Sequence, residues 1–385
     1  MKRVGNLYEK MLSDENILKA IDEVNKSHRW CHYPDKPNKL VLWVESTKEE
    51  RVKELRRIII NGFTPSPGTE KRRYDRNARK WRDIYEPRLY PDQYVHHILI
   101  GTLEPVMLRG MDHWCCGSIK KRGAHYGIRA IKKWMKEDKK GTRYCAELDI
   151  RHFYDSIKPK YVIDRLRHLI KDEKVIDLVK RVTSEGIKIG CYCSQWFANT
   201  LLQPLDRIIR ENGATRYVRY LDNFTIFCNR KKILHKIKNK MEKWLNNHEL
   251  KLKGNWQIFP CGKRKPNALG YKYGRGITVL RKHTLLTLKR QLRKYYKMKS
   301  MGRKINVKFA QGLLSRFGML AHCYSKEIFK SIRPKTQREL KDIVREWQRK
   351  ERKEWNMFLE QYNVETASKN ASKLLEANTL ILQGA

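Results

Sequence analysis

Two short segments of this 385-residue chain combine residue types and spacing that can do chemistry. The first is LDIRHFYDSI, residues 148–157, where Asp149 ends a hydrophobic run and is followed by the aromatic pair Phe153–Tyr154. The second is YLDNF, residues 220–224, where Leu221, Asp222 and Asn223 separate two β-prone runs, RYVRY and FTIFC. A carboxylate at the end of a core strand is costly unless it is paired, capped or metal-bound. A hairpin tip favours Asp and Asn for conformational reasons alone. Together the segments offer two hard oxygen ligands on rigid elements, the kind Mg²⁺ takes singly or in pairs beside phosphate and water. Two such ions suit nucleotidyl transfer, one activating a hydroxyl and the other holding a triphosphate.

The charge supplies a partner for that chemistry. Lys and Arg number 85 against 41 Asp and Glu, a formal net charge of +44 spread along the chain. With 40 % hydrophobic and 10 % aromatic residues this is a folding sequence, so the excess points to a polyanion, nucleic acid above all. A basic protein that binds RNA without chemistry would share this composition. The nine cysteines include no C-x-x-C pair; Cys115–Cys116 and Cys191/Cys193 are the close sets, so free thiols are expected rather than zinc. MKRVGNLYEK lacks the apolar stretch of a secretory signal, and no run is long enough to span a bilayer. A cytoplasmic protein without membrane contact is the expectation.

The elements that must position the two carboxylates follow from periodicity. Residues 1–60 read as helices, with Ile17, Ile21 and Val24, then Val52, Leu55 and Ile59, at helical spacing. Residues 61–92 read as two basic extended segments joined by a turn, with Tyr74, Trp81 and Tyr85 interleaved, and a helix runs from about Asp92 to Leu108. Gly117 to Gly127 reads as loop before a helix to about Lys136. A strand is expected at 144–150, two amphipathic helices after Pro159, a helix at about 195–211, and a hairpin around Asp222. Further strands are expected at 255–260 and 268–280, and basic helices beyond Leu280.

In this order the motifs resemble those of reverse transcriptases. LDIRHFYDSI resembles motif A, and YLDN stands where the family has Y-x-D-D. IGCYCSQWFAN, residues 189–199, resembles the motif B region in the form seen in diversity-generating retroelement and prophage-type enzymes. KWRDIYEPRLYPDQYVHHIL resembles the fingers motifs, CGSIKKRGAHYGIRAI a segment of group II intron and retron enzymes, and NWQIFP with LGYKY the end of the palm and the primer grip. The resemblance covers about residues 60–280.

It implies an α+β right-hand polymerase: an N-terminal helical extension (1–60), fingers (61–143), a palm with an antiparallel sheet and helices (144–279), a helical basic thumb (280–363) and a C-terminal tail (364–385). It implies an RNA-directed DNA polymerase of a bacterial or phage retroelement or antiphage defence system, using two Mg²⁺ ions with Mn²⁺ as an alternative. Asp149, Asp222 and the Ile150 carbonyl would ligate metal, with Asn223 beside them in the catalytic set. Tyr154 matches an aromatic gate against ribose, Ser194 and Gln195 would meet the incoming nucleotide, Lys80 and Arg82 the triphosphate, and Arg88 and Arg122 the nucleic acid. Implied partners are an RNA template, an RNA–DNA duplex, dNTPs, and a small accessory protein or structured non-coding RNA.

Two departures stand out. Asn223 replaces the second Asp of Y-x-D-D, which predicts weaker metal affinity or a preference for Mn²⁺, because an amide is a poorer ligand for a hard cation. A similar Asn stands in the G-D-N of negative-strand RNA virus polymerases. Trp256 stands where many members carry a lysine that serves as general acid, leaving Lys251, Lys253 or Lys263 for that role. No H-N-H nuclease pattern or RNase H carboxylate set is read after residue 280. The competing readings are a catalytically weakened RNA-binding scaffold and a template-independent terminal polymerase.

Overall fold

The computed structural model describes residues 2–32, 36–75, 80–330 and 332–383. Its N-terminal part holds helices α1 (Leu7–Met11), α2 (Asp14–His28), α3 (Lys39–Ser46) and α4 (Lys48–Ile60), with a small strand pair, β1 (Trp30–His32) and β2 (Lys36–Pro37), between α2 and α3. Ser13 caps α2 by accepting from the Asn16 amide, and Ile17, Ile21 and Val24 are fully buried, as their spacing requires. Strands β3 (Thr69–Asp75) and β4 (Lys80–Glu86) form a largely exposed antiparallel hairpin. Helix α5 (Tyr94–Arg109) is buried on nearly every side, which explains its almost continuous apolar sequence; α6 (Ala124–Glu137) follows.

Strands β5 (Tyr144–Asp149), β6 (Arg216–Tyr220), β7 (Asn223–Cys228) and β8 (Gln257–Pro260) make an antiparallel sheet in the order β6-β7-β5-β8. Alternation decides what each face meets. Ala146, Leu148, Phe224 and Ile226 join the larger core, which includes α5 and the helices α7 (Phe153–Ser156), α8 (Pro159–Arg167), α9 (Glu173–Val182), α10 (Tyr192–Leu201), α11 (Gln203–Glu211) and α12 (Lys231–Asn247). Cys145, Val218 and Phe227 turn the other way, into a second core. That core also takes α6, a three-stranded sheet of β9 (Asn267–Ala268), β10 (Tyr271–Tyr273) and β11 (Thr278–Leu280), and the helices α13 (Lys282–Ser300) and α14 (Val307–Leu320).

The single helix expected at 195–211 is two helices. Leu202 ends α10 and Pro204 sits in the first turn of α11, where its missing N–H costs nothing. After α15 (Lys326–Lys330), α16 (Thr336–Gln383) runs unbroken through the 363/364 boundary expected between thumb and tail. It returns to the N-terminal helices. Trp355 is buried against Val41, Leu42 and Trp30, and the Trp30 indole donates to Glu351 Oε1 at 2.8 Å. The architecture is mixed α+β, with antiparallel sheets packed between helices. Among the described side chains eight cysteines are free, and no helix of the described residues is long and apolar enough to cross a membrane.

Candidate active site

Strands β6 and β7 are joined by the two residues Leu221 and Asp222, because Tyr220 pairs with Asn223. Such a tip needs positive φ, and Leu221 adopts φ 55°, a conformation that costs a residue with a Cβ roughly 1–2 kcal/mol. Next door, β7 pairs with β5 so that Asn223 lies opposite Asp149. The tip therefore sets the Asp222 carboxyl against that of Asp149. Burial first, and then the Asp149 charge, push Asp222 up to about 6, while the Asn223 amide opposes the shift by donating to Asp222 Oδ1 at 3.0 Å.

The segment 251–253 runs antiparallel to residues 149–151: Arg151 N donates to Lys251 O at 2.9 Å and Lys253 N to Asp149 O at 2.8 Å. Neither bond uses the Ile150 carbonyl. The same pairing brings Lys253 Nζ to 3.0 Å from Asp149 Oδ2. Trp256 lies elsewhere, with the Lys238 ammonium over its ring at 4.7 Å.

These groups line one cavity of about 660 Å³: Lys80, Arg82, Asp149, Ile150, Tyr154, Asp222, Asn223 and Lys253, with Arg151, His152 and Asp155 among the rest. Lys80 and Arg82 arrive from the β3–β4 hairpin, where Arg82 Nε pairs with Asp75 Oδ2 at 2.9 Å. The hairpin is held over the cavity by Tyr85 N donating to Ile189 O at 2.8 Å. Gly190, at φ 115°, is required there: a Cβ would lie 2.0 Å from the Tyr85 carbonyl oxygen. Burial raises the Tyr154 phenol well above its usual range; Asp222 adds to the shift and Arg82 opposes it. Phe153 is a core residue.

Four expected site residues are not at this cavity. Ser194 is buried in the first turn of α10 and Gln195 is exposed on it. Arg88 lines a separate space of about 860 Å³ with Arg73, Thr69 and Gly190. Arg122 donates to the Asp112 carbonyl at 3.2 Å and braces a loop.

A group that sequence reasoning missed grips the tip from behind. Arg219 is fully buried and paired with Asp206, Nε to Oδ1 at 2.9 Å and NH2 to Oδ2 at 2.7 Å. Its NH1 donates to Asn199 Oδ1 at 2.9 Å and to the Leu221 carbonyl at 3.4 Å. Asn199 in turn donates to the Gly117 carbonyl at 2.9 Å, and a Cβ on Gly117 would lie 2.7 Å from the Leu221 nitrogen. The signal was an Arg inside the apolar run RYVRY, which must find a buried anion.

Among the described residues no three His, Cys, Asp or Glu side chains gather as a protein-only metal cage. The donor set still fits a hard divalent cation, since Mg²⁺ takes one or two carboxylates and completes its shell with substrate oxygens and water. The repulsion recorded in the Asp222 shift is what such a cation relieves.

No curated protein matches the chain. Solved structures that resemble it include an apo telomerase from Candida tropicalis truncated from its C-terminal domain (15 % identity, TM-score 0.39, covering 62 % of this chain and 58 % of that one). Another is the telomerase from Candida albicans in complex with a TWJ fragment of telomeric RNA (13 %, 0.44, 74 % and 57 %), and a third is the apo telomerase from Candida tropicalis (12 %, 0.40, 69 % and 65 %). The chain thus spans less than two thirds of each of these chains, and with TM-scores below 0.5 they add nothing to the assignment. The family model "Reverse transcriptase (RNA-dependent DNA polymerase)" matches residues 76–273, which contain strand β4 with Lys80 and Arg82, both carboxylates and Lys253. By that match over more than half of its length, the chain belongs to the reverse transcriptase family.

Proposed function

We propose that the chain copies an RNA template into DNA by metal-dependent nucleotidyl transfer centred on Asp149 and Asp222. The observation that carries this reading is the contact of those two carboxylates at the meeting of β5 with the β6–β7 tip, in a cavity that Lys80, Arg82, Arg151 and Lys253 also line. Divalent cations held by Asp149, Asp222 and the Ile150 carbonyl, Mg²⁺ in two sites or Mn²⁺, would supply Lewis-acid stabilisation of the attacking hydroxyl and the triphosphate. Lys80 and Arg82 hold the triphosphate from the hairpin side. Tyr154 closes the sugar side and disfavours a 2′-hydroxyl. Lys253 Nζ, 3.0 Å from Asp149 Oδ2, stands where it would serve as the proton donor to the departing pyrophosphate.

Substrates on this reading are dNTPs and an RNA template with its RNA–DNA duplex, and the IG-x-x-x-SQ form of residues 189–195 favours a bacterial or phage retroelement or defence setting in the cytoplasm. An accessory protein or structured RNA would complete such a system. A second reading, an RNA-binding scaffold with weakened catalysis, draws on Asn223, which faces Asp149 with an amide in place of a carboxylate. Primer extension on RNA with dNTPs, in Mg²⁺ and separately in Mn²⁺, tests the proposal. Product is expected in at least one metal; none in either, with tight RNA binding retained, would favour the scaffold.

A further inference from the structure

Helix α6 carries a cationic face that the catalytic cavity does not use. Arg129, Lys132 and Lys136 recur at three- and four-residue steps with Lys133 beside them, and all four are exposed. The opposite face, with Ile128, Ile131 and Met135, is buried in the second core. A solvated helix face ordinarily intersperses acids at such steps. Here Glu137 is the helix's single acid, Asp138 is taken by Arg216 at 2.6 Å, and none of the four cations is ion-paired among the described residues.

This face borders a recess. Lys132, Lys133 and Lys136 line one side of a space of about 350 Å³, and the β10–β11 turn with the Cys323–Tyr324 segment after α14 lines the other. Both flanking pieces are tied down. Arg275, in the turn, donates to the Met135 carbonyl at 3.2 Å and to the Thr142 carbonyl at 2.9 Å. Tyr324 donates its backbone N–H to Thr278 O at 2.7 Å while the residue stays 57 % exposed. Next to it His322 lies against His125, ring centroids 4.1 Å apart. Burial, then His125, Lys132 and Arg129, hold the His322 imidazole below its ordinary value, as expected where positive charge converges.

A preformed recess with this charge calls for an anion. The cations also run past it, since residues 129–140 hold six Lys or Arg against two acids. That extent suits a strand with successive phosphates better than one small anion. The exposed Tyr324 ring offers a face to an unpaired base. No residue that lines the recess also lines the catalytic cavity, so a strand held here is held apart from one at Asp149 and Asp222.

We infer that this recess is a second nucleic-acid site, which takes an unpaired strand with its phosphates along Arg129, Lys132, Lys133 and Lys136 and a base against Tyr324. The site does not depend on the polymerase reading, and it gives the chain a hold on nucleic acid outside the catalytic cavity.

The test is fluorescence anisotropy on the full chain with labelled strands of about twelve nucleotides, oligouridylate and oligodeoxythymidylate in parallel arms, while a short unlabelled RNA–DNA hybrid in excess occupies the cavity. The tighter of the two arms tells whether the strand is RNA or DNA. Lys132→Glu combined with Lys136→Glu should weaken that binding about ten-fold or more and lower the salt slope by about two. Tyr324→Ala should weaken it about five-fold with the slope unchanged, and Tyr324→Phe should restore it. Lys236→Glu combined with Lys240→Glu makes the same change of charge on exposed lysines of α12 and should cost less than about two-fold. Equal losses in the two double variants would overturn the inference, because only the general charge of the chain would then be at work. Uridine monophosphate or polyglutamate bound as tightly as the strand would overturn it too. So would a parallel loss of affinity for the labelled hybrid in the Lys132→Glu, Lys136→Glu variant, which would put the recess on the path of the paired substrate.

Discussion

Lys253 Nζ sits 3.0 Å from Asp149 Oδ2, so the cation next to the first carboxylate comes from the segment that pairs backbone to backbone with residues 149–151. Sequence alone left Lys251, Lys253 and Lys263 as equals for the proton donor. Only Lys253 lines the cavity. Replacing it with Ala should lower kcat on an RNA template by about 10²-fold, the scale of a lost general acid, while Lys251→Ala and Lys263→Ala stay close to wild type. Pre-steady-state single-nucleotide addition reads this directly, and a Lys253→Ala rate equal to wild type would remove the role.

Tyr154 stands beside Asp222 and Arg82 in the same cavity, with its phenol kept neutral by burial. If its ring excludes a 2′-hydroxyl, Tyr154→Ala should lower the dNTP-over-rNTP ratio of kcat/KM by about ten-fold or more, and Tyr154→Phe should leave it near wild type. Competition between dNTP and rNTP measures the ratio.

Much of this site was legible because its parts are local in sequence. A hydrophobic strand ending at Asp149 and two β-prone runs around Asp222 place the carboxylates before any tertiary contact is known, and register then makes them neighbours. The interleaved cations of residues 71–82 likewise marked the hairpin that carries Lys80 and Arg82. What escaped was set by distant pairings. Gly117, Asn199, Asp206 and Arg219 meet only after the loop before α6 lies along β6, and no spacing pattern announces that. The break at Leu202 was hidden because α10 and α11 share apolar spacing across it. Ser194 and Gln195 matched a motif, but the helix carrying them lies beside the cavity without lining it.

The Arg219–Asp206 pair makes a stability prediction. Both side chains are almost fully buried, so Arg219→Ala strands an unpaired carboxylate and should cost about 3–5 kcal/mol in denaturant unfolding. An Arg219→Met, Asp206→Leu double variant should recover most of that loss. It should not recover activity, because the NH1 bond to the Leu221 carbonyl that steadies the Asp222 tip is gone.

Acid should weaken the fold through His96. Burial holds its imidazole down at about 4, and Nδ1 has no hydrogen-bond partner among the described residues. Between about pH 6.5 and pH 4 the unfolded chain takes up a proton there that the folded protein refuses. The stability contributed by the neutral ring is therefore complete above about pH 6.5 and falls as pH drops towards 4, by an amount on the order of 3 kcal/mol. Unfolding free energies of wild type and His96→Leu, compared across that range, should differ in pH slope; parallel curves would contradict the assignment.

The central claim is that Asp149 and Asp222 act as one metal-dependent centre. Its most direct measurement is the rate of single-nucleotide addition to a primer on RNA by wild type, Asp149→Asn and Asp222→Asn, each titrated with Mg²⁺ and with Mn²⁺. Wild type should add the nucleotide with a saturable metal dependence, and each Asn variant should lose synthesis in both metals while still binding the primer–template. A variant that adds nucleotides at the wild-type rate in either metal would contradict the account.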